Sequence, residues 1–334
     1  MELVFDYMGT VTLRQVAELT GKSEATVSLV LNSRQFHRVS PRTRAMIQRV
    51  AAELGYVPNM QAQALVKGKT RSIAITANGM TPFYNEYIRR LTHLFEARHY
   101  NVFAFETMLS PEREKQVVTW VSQGLFDGCI CLEYNYSNRD FYEGLVRSGT
   151  PHVFRGWNAL EFYPEHMIRV DYRSAISDLF AHLEEQGYRR LSVIIDSSSY
   201  FVEDAFSVRK SLYYELIHNR RLVIDPEAWI TVPIDVENHL RYCYEKTREM
   251  LTRCPDVDVL IVQSASEIPA VYRIPMLDYM TPPVSYIYEP SEMVADIIAG
   301  EMLAQLHESH SPGGECKVKA LLALNASTRR QSER

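Results

Sequence analysis

The sequence lacks the features by which a membrane protein or an enzyme usually declares itself. No apolar run approaches the ~20 residues that a membrane-spanning helix needs. The first apolar residues, "LVF" at 3–5, are too few and too mixed with acids for a secretory leader, so a soluble cytoplasmic protein is expected. Cysteine is scarce, at five residues. Cys129 and Cys131 flank Ile130 in an apolar run and would share one face of a strand, whereas Cys243, Cys254 and Cys316 stand apart. No Cys pair stands beside a second pair at metal-ligand spacing, and the helically spaced His307 and His310 have no carboxylate partner, so the reading is structural thiols and a solvated histidine face. A Gly-rich phosphate loop and a nucleophile elbow are also missing. No catalytic residue, no metal and no cofactor are expected.

What the chain does have is length and an uneven charge. Its 334 residues, 46% of them hydrophobic, can fill the cores of two or three folding units. The net charge of −5 conceals a basic head: residues 12–71 hold ten Lys and Arg against only Glu18, Glu24 and Glu53, a net of +7, which leaves −12 for the rest. A basic head on an acidic body points to a polyanion partner for the head alone.

Within that head the apolar spacing is helical. Thr12 and Gln15 form a capping-box pair before a helix with Val16, Ala17 and Leu19 on its apolar face, and Gly21 allows a tight turn. Ser23 can cap a second helix that buries Val27, Val30 and Leu31 and leaves Glu24, Ala25, Ser28 and Leu29 outward. A third helix starts at "SPRTR", with Ser40 as cap and Pro41 at the first helical position. It turns Ile47, Val50, Ala51 and Leu54 inward and ends at Gly55. Helix, Gly-containing turn, helix and a supporting third helix make a helix-turn-helix. A helix that enters the major groove must come close to base edges, which suits small outward residues such as Ala25 and Ser28, while positive charge belongs on the flanks, near phosphates.

The stretch "VTLRQVAELTGKSEATVSLVLN", followed by "VSPRTRAMIQRVAAELGYVPNMQAQAL", resembles the N-terminal domain of the lac-repressor (LacI/GalR) family of bacterial transcription regulators from residue 11 to residue 65. The resemblance implies that Thr12, Ser23, Thr26, Ser28, Asn32, Thr43, Tyr56 and Asn59 touch the DNA backbone, and that Glu24, Ala25 and Leu29 face base edges. It implies a hinge helix after "YVPN", with Ala62 and Leu65 in the minor groove and Leu65 as the wedge that kinks the duplex. Two departures stand out. Leu29 occupies a position where the family often has Arg, so its contact is with apolar surface such as a thymine methyl. The loop "SRQFHR" at 33–38 is longer than usual and offers Arg34 and Arg38 to phosphates.

Beyond residue 71 short apolar strands alternate with helices, which predicts parallel, doubly wound sheets. "SIAITA", "NVFAFE", "DGCICL" and "PHVFRG" read as strands, separated by helices at 83–100, 112–125 and 139–149; the scheme repeats with "RRLSVIID" and "DVDVLIVQ". The segments "PFY", "FDGCI", "VDYRSA", "QGYRRLSVI", Arg209 and "YEPSEM" resemble the family's effector region, which has the shape of a periplasmic sugar-binding protein. The expected architecture is therefore an all-α helix-turn-helix head at 1–57, a hinge helix and linker at 58–70, and an α/β effector region of two doubly wound lobes at 71–334. The first lobe takes 71–168 and 284–308; the second takes 169–283 and 309–330 and is reduced. Pro269, Pro275, Pro282 and Pro283 leave no room for a full helix there, Asp278 stands in for an acidic turn, and Asn325 replaces a common Arg.

Ligands of such sheets lie at the carboxyl ends of the strands, which points to Phe83 and Arg155; the resemblance adds Arg209, and Asp171 is read as a helix cap. The implied protein is a DNA-binding regulator, a repressor, acting as a homodimer on double-stranded operator DNA with no membrane association. A sugar-like effector binds between its lobes. The competing expectation is a DNA-binding regulator with a degenerate pocket, controlled by a protein partner or by abundance.

Overall fold

A computed structural model describes residues 11–32, 38–58, 64, 68–79, 82–108, 110–133, 138–156, 166–196, 205–233, 239–262, 286–307 and 316–324. The chain divides into two compact units, residues 1–70 and 71–334.

The first unit is helical: α1 (Leu13–Thr20), α2 (Glu24–Asn32) and α3 (Pro41–Glu53). Val16, Ala17, Val27, Val30, Ile47 and Ala51 are buried where the three meet, with Leu31, Val50, Leu54 and Tyr56 packed around them. One predicted core position is corrected. Leu19 is 65% exposed, and Thr20 occupies the buried place instead. Thr20 tolerates burial because its hydroxyl donates to the Val16 carbonyl at 2.7 Å, so the polar group is satisfied inside its own helix.

In the second unit the order is β1 (Ser72–Ala77), α4 (Pro82–Glu96), β2 (Asn101–Glu106), α5 (Pro111–Ser122), β3 (Gly128–Cys131), α6 (Arg139–Arg147), β4 (His152–Gly156) and β5 (Met167–Asp171). There follow α7 (Tyr172–Glu185), β6 (Arg190–Asp196), α8 (Ala205–Ile217), β7 (Val223–Val232), α9 (His239–Arg253) and β8 (Val259–Val262). The chain closes with β9 (Tyr286–Tyr288), α10 (Ser291–His307), β10 (Cys316–Lys319) and β11 (Leu321–Ala323). The first lobe is a six-stranded sheet, β10-β5-β4-β3-β1-β2, and every neighbouring pair in it is parallel. Alternation sets its two faces. Ile73, Ile75 and Ile130 point into a core with Tyr87, Leu91 and Phe95 of α4 and Ile298 and Met302 of α10. Ala74, Cys129 and Cys131 point the other way, toward α5 and α6. The two thiols share that face, 3.6 Å apart, as their spacing predicts. Cys243 and Cys254 are also buried, and Cys316 is partly exposed.

The second lobe contains a three-stranded parallel sheet, β7-β6-β8. A two-stranded antiparallel ribbon, β9 with β11, forms a separate sheet. The predicted lobe boundary is corrected here: β10, placed by sequence in the second lobe, pairs with β5 and extends the first sheet. A terminal strand's sheet is decided by which edge offers partners, which local sequence does not encode. The chain thus crosses between lobes at Asp171–Tyr172, at Glu289–Pro290 and at Ala320, and Ala320 N–H donates to the Asp171 carbonyl at 3.0 Å. The prolines at 269–283 and Asp278 lie outside the described residues. Among the described residues no helix is long and apolar enough to cross a membrane, and no group of three or more His, Cys, Asp or Glu is placed to hold a metal ion.

Candidate nucleic-acid interface and ligand cleft

Local rules build the exposed face of α2 in the head. Helix α1 begins with the full capping box: Gln15 N–H donates to Thr12 Oγ1 at 3.4 Å, and Thr12 N–H donates to Gln15 Oε1 at 2.7 Å. It ends at Gly21, whose φ of +60° lets Lys22 N–H reach back to the Ala17 carbonyl at 3.1 Å and turn the chain sharply into α2. Ser23 caps α2, accepting from Thr26 N–H at 3.2 Å with its hydroxyl 2.9 Å from that of Thr26. Ser40 and Thr43 repeat the arrangement on α3, at 3.3 and 2.9 Å. Val27 and Val30 fix the phase of α2 by pointing into the core. That phase leaves Glu24 and Ala25 exposed and Thr26, Ser28 and Leu29 half-buried.

The charge around this face is available. Arg14 and Arg49 pair with Glu18 and Glu53 at 2.9 and 3.8 Å, but among the described residues Lys22, Arg38 and Arg42 form no ion pair and are exposed. Three helix N-termini capped by short hydroxyl residues, flanked by exposed cations, favour phosphate oxygens: the first-turn N–H groups and the helix dipole both attract an anion. Tyr56 packs on the same core and its N–H donates to the Ala51 carbonyl at 2.8 Å. Asn59, Ala62 and Leu65 lie outside the described residues, as does the side chain of Asn32. Nearby, Gly68 N–H donates to the carbonyl of the helical Ala64 at 2.8 Å.

In the body, the carboxyl ends of β3 and β4 meet the first turns of α4. Phe83 is 37% exposed there and stacks edge-on against Tyr84 and Tyr87, with ring centroids 5.0 and 5.5 Å away. Arg155, which the sequence reading sets at the cleft as a ligand contact, is only 4% exposed. Its Nε donates to Glu289 Oε2 at 3.1 Å, its Nη2 to Glu289 Oε1, and its Nη1 to the Leu132 carbonyl at 3.2 Å. The guanidinium lies between the rings of Phe83 and Tyr87, at 4.9 and 5.2 Å from their centroids. Tyr87 and Tyr172 each donate a phenolic hydrogen bond to the same Glu289 carboxylate. Burial raises both phenols well above their ordinary range and keeps them as donors. For Arg155, burial alone would favour the neutral form; the Glu289 carboxylate together with the phenols of Tyr87, Tyr172 and Tyr84 outweighs it and raises the guanidinium. Sequence reasoning singled out neither Glu289 nor its tyrosines, although a lone acid in the aromatic run "YIYEP" is a signal of a buried partner. Asp171 caps α7 as expected, accepting from Arg173 N–H at 2.9 Å. Arg209 falls on α8 with its side chain outside the described residues.

Fold and site together define a helix-turn-helix head followed by an α/β body whose two lobes are built on parallel sheets, a periplasmic-binding-protein-like fold. Residues 12–59 match the family described as "Bacterial regulatory proteins, lacI family". Catabolite control protein A of Staphylococcus xylosus is 26% identical over 186 residues, 55% of this chain; the chain spans about half the length of the curated relatives it matches, 55% in this case. The fold is shared with the lac repressor dimer bound to operator and the anti-inducer ONPF, at 16% identity and a TM-score of 0.78 over 96% of this chain and 100% of that one. It is shared also with the transcriptional regulator CelR in a cellobiose complex, at 21% identity and a TM-score of 0.63 over 95% and 99%.

Proposed function

We propose that the chain is a sequence-specific DNA-binding transcriptional regulator, a repressor, that acts as a homodimer on a pseudo-palindromic operator. The observation that carries this is α2 itself, a hydroxyl-capped helix with Ala25, Ser28 and Leu29 on the side away from the core and unpaired cations on its flanks. In this reading Thr12, Ser23, Thr26, Ser28, Asn32, Thr43, Tyr56 and Asn59 hold phosphates, Glu24, Ala25 and Leu29 read base edges, and Ala62 with Leu65 opens the minor groove. A sugar-like molecule lodged against Phe83 between the lobes changes DNA affinity, as the cellobiose complex of a protein with the same fold suggests. Arg209 and Asp278 are the further candidate contacts, and Arg155 forms the floor rather than the wall of the cleft.

One observation favours a second reading, in which the pocket is degenerate and a protein partner or abundance sets activity. Arg155, a group that could grip a polar ligand, already has Glu289 and a carbonyl as partners. Selection of the full chain on random double-stranded DNA tests the first proposal: a two-fold symmetric motif is expected, and failure to enrich any motif would remove it. Calorimetry against neutral sugars and nucleobases then separates the two modes of control.

A further inference from the structure

Among the described residues Glu289 stands at one of the three places where the chain passes between the lobes, just before α10. Its carboxylate accepts hydrogen bonds from three residues on three different elements. Arg155 comes from the end of β4 and Tyr87 from α4, both in the first lobe, while Tyr172 opens α7 at another crossing. The ion pair is almost fully enclosed, with side-chain exposures of 5% for Arg155 and 1% for Glu289. Tyr172 and its neighbour Ile287 each pack against the cores of both lobes. The third crossing is tied in by the Ala320–Asp171 backbone bond. A buried carboxylate with this many donors is far more costly to strip than an exposed one, because each lost donor leaves charge in a low-dielectric interior.

We propose that Glu289 is a latch on the inter-lobe crossings: it fastens two of the three connecting segments to the first lobe, so the lobes change their relative angle only when this carboxylate exchanges partners. Phe83 gives the latch an exposed handle. Its ring lies against the Arg155 guanidinium, so a molecule that presses on Phe83 acts on the group that holds Glu289. The proposal rests on the two-lobed fold and needs neither DNA nor an effector for its test.

Hydrogen exchange of the full chain, read on peptides covering 166–172, 286–291 and 316–322, supplies that test. Tyr172→Phe removes one donor to Glu289 at nearly constant volume, and a hydrogen bond to a charged group is worth enough that exchange at the crossings should rise roughly tenfold. Peptides from β1 and β6 should be unchanged. Glu289→Gln should act in the same direction and more strongly. Tyr142→Phe is the control: it breaks a chemically similar buried bond, Tyr142 to Glu114, on the other face of the same sheet, and should loosen α5 and α6 but not the crossings. The latch is overturned if Tyr172→Phe leaves the crossings as protected as in the wild type. It is also overturned if exchange rises equally in β1 and β6, or if Tyr142→Phe has the same effect at the crossings. Should Glu289→Gln fail to fold, Tyr172→Phe still decides the question.

Discussion

Ile47→Ala should disable the head while sparing the body. Ile47 is fully buried among Val16, Ala17, Val27, Val30 and Ala51, side chains from all three helices, so truncation leaves a cavity that no flexible neighbour can fill. Such truncations cost about 2–5 kcal/mol. At roughly 0.05–0.15 kcal/mol per residue, a domain the size of the 12–59 head holds about 2–7 kcal/mol in total. The substitution therefore removes most of the head's stability. The body keeps its own cores, built on separate residues. Scanning calorimetry of the full chain should show the head's transition lowered or lost and the body's transition unmoved. Fluorescence anisotropy should show DNA binding weakened and partly recovered at high DNA concentration, because DNA binds only the folded head. If the head's transition and the DNA affinity both stay at wild-type values, the assigned core is wrong. If the body's transition falls in parallel, the two units are not independent.

Leu29→Arg should change which sequence is selected, favouring guanine at one position per half-site by about 1–3 kcal/mol where bidentate geometry is reached; an unchanged motif would mean that Leu29 does not face the bases. Lys22→Ala and Arg42→Ala should each reduce the slope of log affinity against log salt by roughly one, uniformly across DNA sequences; slopes equal to the wild type would place the phosphates elsewhere. The Asp296 carboxyl is held below its ordinary range, chiefly by the hydrogen bonds from Arg90 at 2.8 and 2.9 Å. A depressed carboxylate adds stability at neutral pH that is lost as pH falls through its folded-state value. Both side chains are partly exposed, so water screens the pair and its contribution is small. Arg90→Met should accordingly lower Tm slightly at pH 7, and the gap should close as pH drops below about 4, the unfolded Asp value; a gap independent of pH would refute the assignment.

Much of this protein could be read from the chain alone, because much of it is local. The caps at Thr12, Ser23 and Ser40 and the stops at Gly21 and Gly55 act over three to five residues, so the head was legible down to the phase of α2. Strands β1 and β2 were legible to the residue, as was the shared face of Cys129 and Cys131, since apolar runs bounded by turns need no distant partner to be recognised. Strand β7 escaped notice because Asp225, Pro226 and Glu227 interrupt its apolar pattern, and α9 because its sequence is mostly polar. Tertiary structure alone decided the rest. The sheet that β10 joins depended on a free edge beside β5. Glu289 meets Arg155 across 134 residues of sequence, and only the crossing of the chain between its lobes brings that carboxylate to that guanidinium.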